Sequence, residues 1–223
     1  MSATNADTPR VAAIVVAAGA SVRMGTPKQL LLWDGVPMIR HVTRVFMLSR
    51  ASEVIVMVGC RPSEVGAEAL AGWIPDGHKP LTVSINPDWE HGEMLSSIKR
   101  GIQLSSPGVD GYLIGLADHP AVDGSSVDLL ISASLECPPH LRGERVFVPT
   151  FRGRRGHPVL VGARLAQEIL SLPPGGTLAD VIRPHLVPES MVEVDSAGVL
   201  LDIDTLAEYE AAISPEGSDG RDD

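Results

Sequence analysis

The sequence has little cysteine and a shortage of positive charge. Cys60 and Cys137 are the two cysteines among 223 residues, and neither forms a C-x-x-C pair or has a histidine at metal-ligand spacing. Reduced, intracellular thiols are therefore expected. Lysine and arginine total 18 against 28 acidic residues, which gives a formal net charge of -10. Because nucleic acids and anionic membranes require a basic face, neither is an expected partner, and any bound anion needs a local positive field.

Long hydrophobic runs are absent too. The longest apolar run is too short to cross a bilayer, and residues 1–9 lack the charged start and apolar core of a secretion signal. We therefore expect a cytoplasmic protein. No repeat, low-complexity tract or shift in composition marks an internal boundary, so the sequence predicts one domain over residues 10–213. The polar segments 1–9 and 214–223 are expected to be disordered tails.

One stretch near the amino end combines a buried strand with a phosphate-binding composition. Val11–Ala17 is apolar without alternation, which is typical of a central parallel strand covered on both faces. Gly19 and Gly25 follow, and they allow backbone N–H groups to approach a phosphate chain. Arg23 and Lys28 bring two cations to the same loop. Ligands bind at the carboxyl ends of such strands, so the loop is predicted to bind a polyphosphate.

The spacing of this loop excludes the two best-known phosphate loops. A P-loop needs G-x-x-x-x-G-K-[ST], but here the glycines are one residue too far apart and Lys28 lies beyond Thr26 and Pro27. A Rossmann loop needs G-x-G-x-x-G, but Ser21 occupies the second glycine position. What remains is A-A-G-x-S-x-R-M-G-x-x-K. A purely structural glycine turn is the alternative, and two cations and a hydroxyl within eight residues argue against it.

Strand-like and helix-like segments alternate along the rest of the chain. This alternation predicts an α/β fold: a single-domain, doubly wound, mostly parallel sheet flanked by helices. Predicted strands cover 11–17, 53–59, 81–85, 111–117 and 145–149, with short strands at 192–194 and 199–205. Predicted helices cover 38–49, 62–70, 125–135, 165–172, 178–183 and 206–213, and another ends near 104.

Polar residues follow the third predicted strand. Asn86 carries the donors and acceptors needed to read the edge of a base. Gly92, Ser96 and Ser97 offer backbone and hydroxyl donors at the start of the next helix. The alternative is that Asn86 initiates a turn and the serines cap the helix.

Two aspartates are candidate metal ligands. Asp118 follows the fourth buried strand and faces the predicted phosphate loop, where a nucleotide site needs its metal ligand. Asp204 precedes the last helix. A turn or helix-capping role is the alternative for each of them.

An arginine-rich hairpin is the third candidate. Arg152, Arg154 and Arg155 lie among glycines in an acidic protein and create a local field for an anion, and Gly156 and His157 close the loop. A solvated hairpin tip is the alternative.

Five stretches, in order, resemble those of the molybdenum cofactor cytidylyltransferases, which have a glycosyltransferase-A-like, Rossmann-like fold of the nucleotide-diphospho-sugar transferase type. They are the loop above, N-P-D-W-E-H-G-E-M-L-S-S at 86–97, L-A-D-H-P at 116–120, G-R-R-G-H-P at 153–158 and D-I-D-T at 202–205. The resemblance implies transfer of CMP from CTP to the phosphate of molybdopterin, with release of pyrophosphate. It also implies Mg²⁺, or Mn²⁺, as cofactor, and a molybdoenzyme or its maturation chaperone as a partner.

The resemblance also implies roles for particular residues. Lys28, Arg23 and Asp118 are the expected catalytic residues, Asp118 and Asp204 the metal ligands, with Asp202 in reserve. Arg155, Gly156 and His157 are expected to bind the acceptor. The expected nucleotide-binding residues are Ala17, Ala18, Gly19, Ser21, Arg23, Gly25, Lys28, Asn86, Gly92, Ser96 and Ser97.

The chain departs from the family pattern at three places. His119 stands where glutamine is common, Gly175–Asp180 replaces a G-D-x-G-A-R-like segment, and Leu206–Glu208 replaces Pro-Glu-Asp. The role of His119 and the identity of the acceptor stay open. The alternatives are a guanylyl- or sugar-1-phosphate-transferring relative, a CTP-binding module without catalysis, and a nicotinamide dehydrogenase, which the missing glycine disfavours.

Overall fold

The computed structural model describes residues 10–21, 24–71, 79–91 and 94–214. Strands and α-helices alternate along these ranges, and short 3₁₀ turns join some of them. The strands are β1 Val11–Ala17, β2 Leu32–Trp33, β3 Val36–Pro37, β4 Glu53–Val58, β5 Leu81–Ile85, β6 Gly111–Leu116, β7 Val146–Phe151, β8 Arg154–Arg155, β9 Val159–Gly162 and β10 Met191–Glu193. The helices are α1 Met38–Leu48, α2 Pro62–Leu70, α3 Met94–Leu104, α4 Gly124–Glu136, α5 Pro139–Arg142, α6 Ala166–Ser171, α7 Leu178–Ile182 and α8 Leu206–Ile213.

The main sheet has the order β10-β7-β9-β6-β1-β4-β5, and β8 pairs with β7 at its side. β1 lies parallel to both β4 and β6, and β5 extends the parallel part beyond β4. β9 runs opposite to its two neighbours, β6 and β7. The predicted α/β fold with a mostly parallel sheet is confirmed.

The position of β1 between two other strands explains why polar and apolar residues do not alternate along its sequence. Alternate residues of a strand point to opposite faces, and helices cover both faces of this sheet. Val11, Ala13, Val15 and Ala17 pack in one core with residues of α1, α2 and α4. Ala12 and Ile14 pack in a second core with residues of α3, α6 and α7.

One predicted strand near the carboxyl end is wrong. The segment predicted as a strand at 199–205 contains a 3₁₀ turn, Ala197–Leu200, followed by irregular backbone. The Ser196 side chain accepts a hydrogen bond from the N–H of Gly198, which favours a turn over extension. The backbone of this segment makes isolated hydrogen bonds to other segments. Val199 O accepts from His157 N, and Ile203 N donates to Asp118 O. No strand ladder forms at this place in the described chain.

The parallel strands end at one edge of the sheet, and this edge positions the candidate site. β1 leads into Ala18 and Gly19, β5 into Asn86, and β6 into Ala117 and Asp118. The longest described helix, α4, has 13 residues, well below the approximately 20 that a bilayer requires. None of the helices in the described ranges can cross a membrane.

Candidate functional site

A lysine held between two carboxylates forms the centre of the site. The Lys28 Nζ lies 2.5 Å from Asp118 Oδ2 and 2.7 Å from Asp204 Oδ1. These partners are 90 and 176 residues away along the chain. The side chains of Lys28 and Asp118 are 15% and 21% exposed, whereas that of Asp204 is 45% exposed. The structure therefore brings together three of the four charged residues to which the family resemblance assigned catalysis or metal binding.

Electrostatics keep this lysine charged. Burial alone lowers the pKa of Lys28, but the carboxylates of Asp118 and Asp204 outweigh that effect, so its pKa is raised. Lys28 is thus an ammonium at every physiological pH, which suits a group that neutralises phosphate oxygens.

The loop after β1 fixes the position of Lys28. The backbone N–H of Lys28 donates to the Ser21 Oγ at 2.9 Å, and Ser21 has a left-handed backbone with φ of 52°. Gly25 also has a positive φ, of 68°, which glycine adopts without strain. Arg23 lies outside the described residues, so its predicted role stays a prediction.

Gln29 is a site residue that the sequence prediction missed. Its buried amide donates to the carbonyl oxygens of Ala17 at 3.0 Å and Gly19 at 2.8 Å, which fixes the first turn of the loop. Its Oε1 is buried without a partner among the described residues. A single amide between Lys28 and a run of three leucines was the available signal, because a lone polar residue there needs a partner.

Asp118 does not cap a helix. The N-cap of α4 is Asp123, whose side chain accepts from the N–H of Ser126 at 2.7 Å. Asp118 Oδ2 is bound by Lys28, and its Oδ1 is a buried atom without a partner in the described chain. An unsatisfied carboxylate oxygen at a strand end is a position that a cation can fill.

Asp204 is held by the start of α8. The helix cap is Thr205, and Thr205 and Glu208 form a capping box. Glu208 Oε2 accepts from the N–H groups of Asp204 at 2.9 Å and Thr205 at 2.8 Å. The hydrogen bond from the Asp204 backbone, followed by those from Thr205, lowers the pKa of Glu208. Glu208 therefore stays ionised and orients the segment that carries Asp204.

A cavity of about 260 Å³ adjoins this cluster. The residues that line it include Ala18, Gly19, Lys28, Asp118, Trp89 and Ser97. Its lining combines loop backbone, one cation and apolar surface, a combination that suits a nucleotide.

Asn86 is almost fully buried and bonded within the protein. Its Nδ2 donates to Ser96 Oγ at 2.8 Å and Ser97 Oγ at 3.0 Å, and its Oδ1 accepts from Asp88 N at 3.1 Å. This is the turn that the alternative interpretation expected. Contact between Asn86 and a base stays a prediction, and Gly92 lies outside the described residues.

The arginine hairpin reaches the site through His157. Arg155 is exposed in β8. Gly156 N donates to Pro149 O at 2.9 Å, and the His157 ring meets that of His119 with centroids 5.0 Å apart. Burial lowers the pKa of both rings, that of His157 to about 4, and both Nδ1 atoms are buried without a partner among the described residues.

The two carboxylates fit a Mg²⁺ ion that a nucleotide brings with it. Within the described ranges, no group of three or more His, Cys, Asp or Glu residues is arranged to hold a metal. Mg²⁺ in nucleotide sites is usually bound by one or two carboxylates together with substrate phosphates and water, so a complete protein cage is unnecessary. The partnerless Oδ1 of Asp118 is consistent with such a ligand.

The class of protein that this fold and this cluster define is the nucleotidyltransferases. A family profile described as the MobA-like NTP transferase domain matches residues 13–190. The chain belongs to that family, as its loop motif predicted, and it is a nucleotidyltransferase.

Relatives named for different reactions are similar to this chain. Nicotine blue oxidoreductase from Paenarthrobacter nicotinovorans is 27% identical over 210 residues, covering 90% of this chain and 95% of the relative. Molybdenum cofactor cytidylyltransferase from Escherichia coli K12 is 26% identical over 194 residues, covering 86% and 90%. A 2-C-methyl-D-erythritol 4-phosphate cytidylyltransferase from Streptomyces avermitilis is 33% identical over 129 residues, covering 56% and 49%. Sequence identity to these relatives therefore does not determine which acceptor substrate this protein uses.

Solved structures support the fold. The crystal structure of Rv0371c from Mycobacterium tuberculosis H37Rv has a TM-score of 0.72 at 22% identity, covering 91% of this chain and 96% of that chain. A complex of Rv0371c with manganese has a TM-score of 0.66 at 21% identity, covering 90% and 96%. A divalent metal thus occurs in a protein of related fold.

Proposed function

We propose that this protein transfers CMP from CTP to the phosphate of molybdopterin, releasing pyrophosphate and forming the cytosine dinucleotide of the cofactor. The observation that carries the proposal is the convergence of Lys28, Asp118 and Asp204 beside the loop after β1. The E. coli relative named molybdenum cofactor cytidylyltransferase aligns over most of this chain, so it supports the same acceptor.

The reaction requires charge neutralisation and alignment more than proton transfer. The acceptor phosphate is an anionic nucleophile at neutral pH, so no general base is needed. It attacks the α-phosphorus of CTP, a new P–O bond forms, and the bond to the β-phosphate oxygen breaks so that pyrophosphate leaves. Lys28 would place its ammonium against the α-phosphate and the departing oxygen, where charge accumulates. Arg23 and the amides of Gly19 would hold the triphosphate.

Asp118 and Asp204 would hold Mg²⁺. When bound, the ion would neutralise phosphate charge and orient the leaving group. The same carboxylates hold the Lys28 ammonium beside the cavity that would take the triphosphate.

Nucleotide and acceptor choice belong to the same proposal. Asn86, Ser96 and Ser97 are proposed to meet the base, and Arg155, Gly156 and His157 the acceptor. An unchanged preference for CTP over GTP in Asn86→Ala would contradict the base contact. We further propose that the protein acts in the cytoplasm and passes the dinucleotide to a molybdoenzyme or its maturation chaperone.

The test is pyrophosphate release with each of the four nucleoside triphosphates and Mg²⁺, with and without molybdopterin. We expect release with CTP that depends on molybdopterin. Pyrophosphate release with GTP and not with CTP would contradict the proposed nucleotide. Pyrophosphate release only with 2-C-methyl-D-erythritol 4-phosphate or a sugar 1-phosphate would contradict the proposed acceptor. The relative named nicotine blue oxidoreductase supplies a second candidate, so reduction of nicotine blue by NAD(P)H is measured in parallel. Dye reduction without pyrophosphate release would favour that candidate.

A further inference from the structure

The helix that follows Asp204 buries none of its side chains. α8 has eight residues, and its terminal apolar residues, Leu206 and Ile213, are both exposed. A helix of this length is not stable by itself in water, because nucleation is costly and packing of an apolar face normally supplies the stability. Specific contacts with other elements must therefore fix the position of α8, and with it the position of Asp204.

Tyr209 makes a hydrogen bond that ties α8 to a distant element. Its hydroxyl donates to the carbonyl oxygen of Leu32, in β2, at 2.8 Å. Within the ranges that the structure describes, the other side-chain hydrogen bonds at α8 are local. Glu208 bonds within the capping box, and the Ser214 Oγ donates to Glu210 O. The tyrosine hydroxyl is thus the side-chain donor that links this part of the chain to β2.

The bond from Tyr209 to Leu32 runs beside the contact between Lys28 and Asp204. Leu32 lies four residues after Lys28, and the N–H of Leu31 between them donates to Lys28 O at 3.0 Å. Tyr209 lies five residues after Asp204. The segments that carry the ammonium and the carboxylate are therefore joined by the tyrosine as well as by the ion pair of 2.7 Å.

Asp204 needs support beyond its ion pair. Its side chain is the most exposed of the three in the cluster, more so than those of Lys28 and Asp118. An exposed ion pair contributes little order, because water and salt screen it. A ligand in a functional site has to be held within about 0.5 Å of its productive position. A neutral hydrogen bond through α8 supplies such a restraint without depending on charge.

We propose that Tyr209 is a positioning residue: by anchoring α8 to β2, its hydroxyl holds Asp204 beside Lys28 and Asp118, and thereby sets how tightly the cluster binds a divalent cation together with the nucleotide. This inference rests on the proposed function, in which Asp204 is a metal ligand. Tyr209 itself has no contact with substrate in this scheme, because it acts through Asp204.

The test compares Tyr209→Phe, which removes the hydroxyl alone, with the wild type. Tyr112→Phe is the matched control, because Tyr112 is the other tyrosine and lies near the amino end of β6, whereas Asp118 follows its carboxyl end. Amide hydrogen exchange without ligand reports on the stability of α8. Titration with Mn²⁺ in the presence of CTP, followed by electron paramagnetic resonance, gives the affinity for the metal. Rates of pyrophosphate release give the half-maximal Mg²⁺ concentration and the KM of CTP.

We expect Tyr209→Phe to speed amide exchange in α8 about two- to tenfold, the factor to which one hydrogen bond corresponds. The Mn²⁺ dissociation constant and the half-maximal Mg²⁺ concentration should rise by a similar factor. The KM of CTP at saturating Mg²⁺ should stay within about twofold, as should every value for Tyr112→Phe. When Asp204→Asn is already present, adding Tyr209→Phe should not weaken Mn²⁺ binding further, because the residue through which it acts has been removed.

Unchanged exchange in α8 overturns the inference, and so does faster exchange with unchanged Mn²⁺ affinity. Equal weakening of Mn²⁺ binding by Tyr209→Phe with and without Asp204→Asn overturns it as well, because the tyrosine then acts by another route. A wild type that binds no Mn²⁺ has the same consequence. If the wild type binds CTP and Mn²⁺ but releases no pyrophosphate with any acceptor, the proposed function fails, while the Mn²⁺ titration still decides the role of Tyr209.

Discussion

The backbone N–H of Ile203 donates a hydrogen bond to the carbonyl oxygen of Asp118 at 3.0 Å. This bond ties the residue before Asp204 to the residue that carries the other carboxylate. The backbone therefore joins the two segments that carry the acidic side chains, in addition to the contacts that Lys28 makes with both. A divalent metal bound as proposed would therefore be held by two residues whose backbone segments are already joined.

Replacement of Lys28 by methionine removes the ammonium but keeps most of the apolar stem. We expect kcat for pyrophosphate release to fall about 100-fold or more, because one preorganised charge at the reacting phosphates contributes about that factor. Steady-state kinetics at saturating CTP and Mg²⁺ measures the change. Arg164→Met removes an exposed cation paired with Glu144 and serves as the control, with turnover close to that of the wild type. Wild-type turnover in Lys28→Met would refute the assignment.

Replacement of Glu208 by glutamine weakens the two backbone hydrogen bonds that orient Asp204. A less ordered Asp204 should bind Mg²⁺ more weakly, so we expect the Mg²⁺ concentration for half-maximal activity to rise severalfold. CTP binding measured without metal should not change. Glu210→Gln, two residues further along α8 and also exposed, is the control. Identical Mg²⁺ dependence in the Glu208 variant and the control would show that the capping box does not position Asp204.

The buried ring of His157 makes stability depend on pH. The unfolded chain protonates this histidine near its ordinary pKa of 6.5, whereas the folded protein resists protonation until about pH 4. Between these values the unfolded state binds more protons, so the free energy of unfolding falls as the pH falls from 6.5 towards 4. The loss amounts to about 3 kcal/mol from this residue.

Urea unfolding of the wild type and His157→Gln at pH 7.5 and 4.5 measures that contribution. The wild type should lose more stability than the variant on acidification, because glutamine does not titrate. Parallel losses in the two proteins would mean that the folded protein protonates His157 as readily as the unfolded chain does.

Replacement of Gln29 by leucine leaves the carbonyl oxygens of Ala17 and Gly19 without their donors. We expect a loss of about 1–3 kcal/mol in the free energy of unfolding, the usual cost of unsatisfied buried acceptors. The first turn of the loop should also loosen, and CTP affinity should fall about tenfold, since a tenfold change requires about 1.4 kcal/mol. Denaturant unfolding and calorimetry test both effects. Gln167→Leu, in an exposed position on α6, is the control, and an equal response from the two variants would count against a role in the loop.

The local sequence pattern was sufficient to predict the central parallel strands and to place Lys28 and Asp118 at their carboxyl edge. The apolar run Val11–Ala17 contains no alternating polar residues, so it predicts a strand covered on both faces. In the structure, residues on both faces of this strand are buried. Gly19, Gly25 and Lys28 follow this strand, so they must lie near the carboxyl edge of the sheet. Asp118 reaches the same edge by the same rule, because it follows a neighbouring parallel strand.

Asp204 could not be placed from local pattern, because it is 176 residues from Lys28 and follows no strand. Family resemblance suggested its role, and the described contacts place its carboxylate against Lys28. The alternating apolar residues near Val199 wrongly predicted a strand. In the structure, the backbone of this segment makes one hydrogen bond to His157 and one to Asp118. The periodicity of a sequence does not show which distant backbone groups a segment will bond. Gln29 was missed because a single amide beside an apolar run indicates that it needs a partner but does not indicate which groups that partner provides.

The late position of Asp204 has a consequence during synthesis on the ribosome. A nascent chain synthesised only as far as Asp118 already contains the loop and Lys28, but its second carboxylate, that of Asp204, has not yet been translated. The cluster of Lys28, Asp118 and Asp204 is therefore completed only after the segment that leads into α8 has been made.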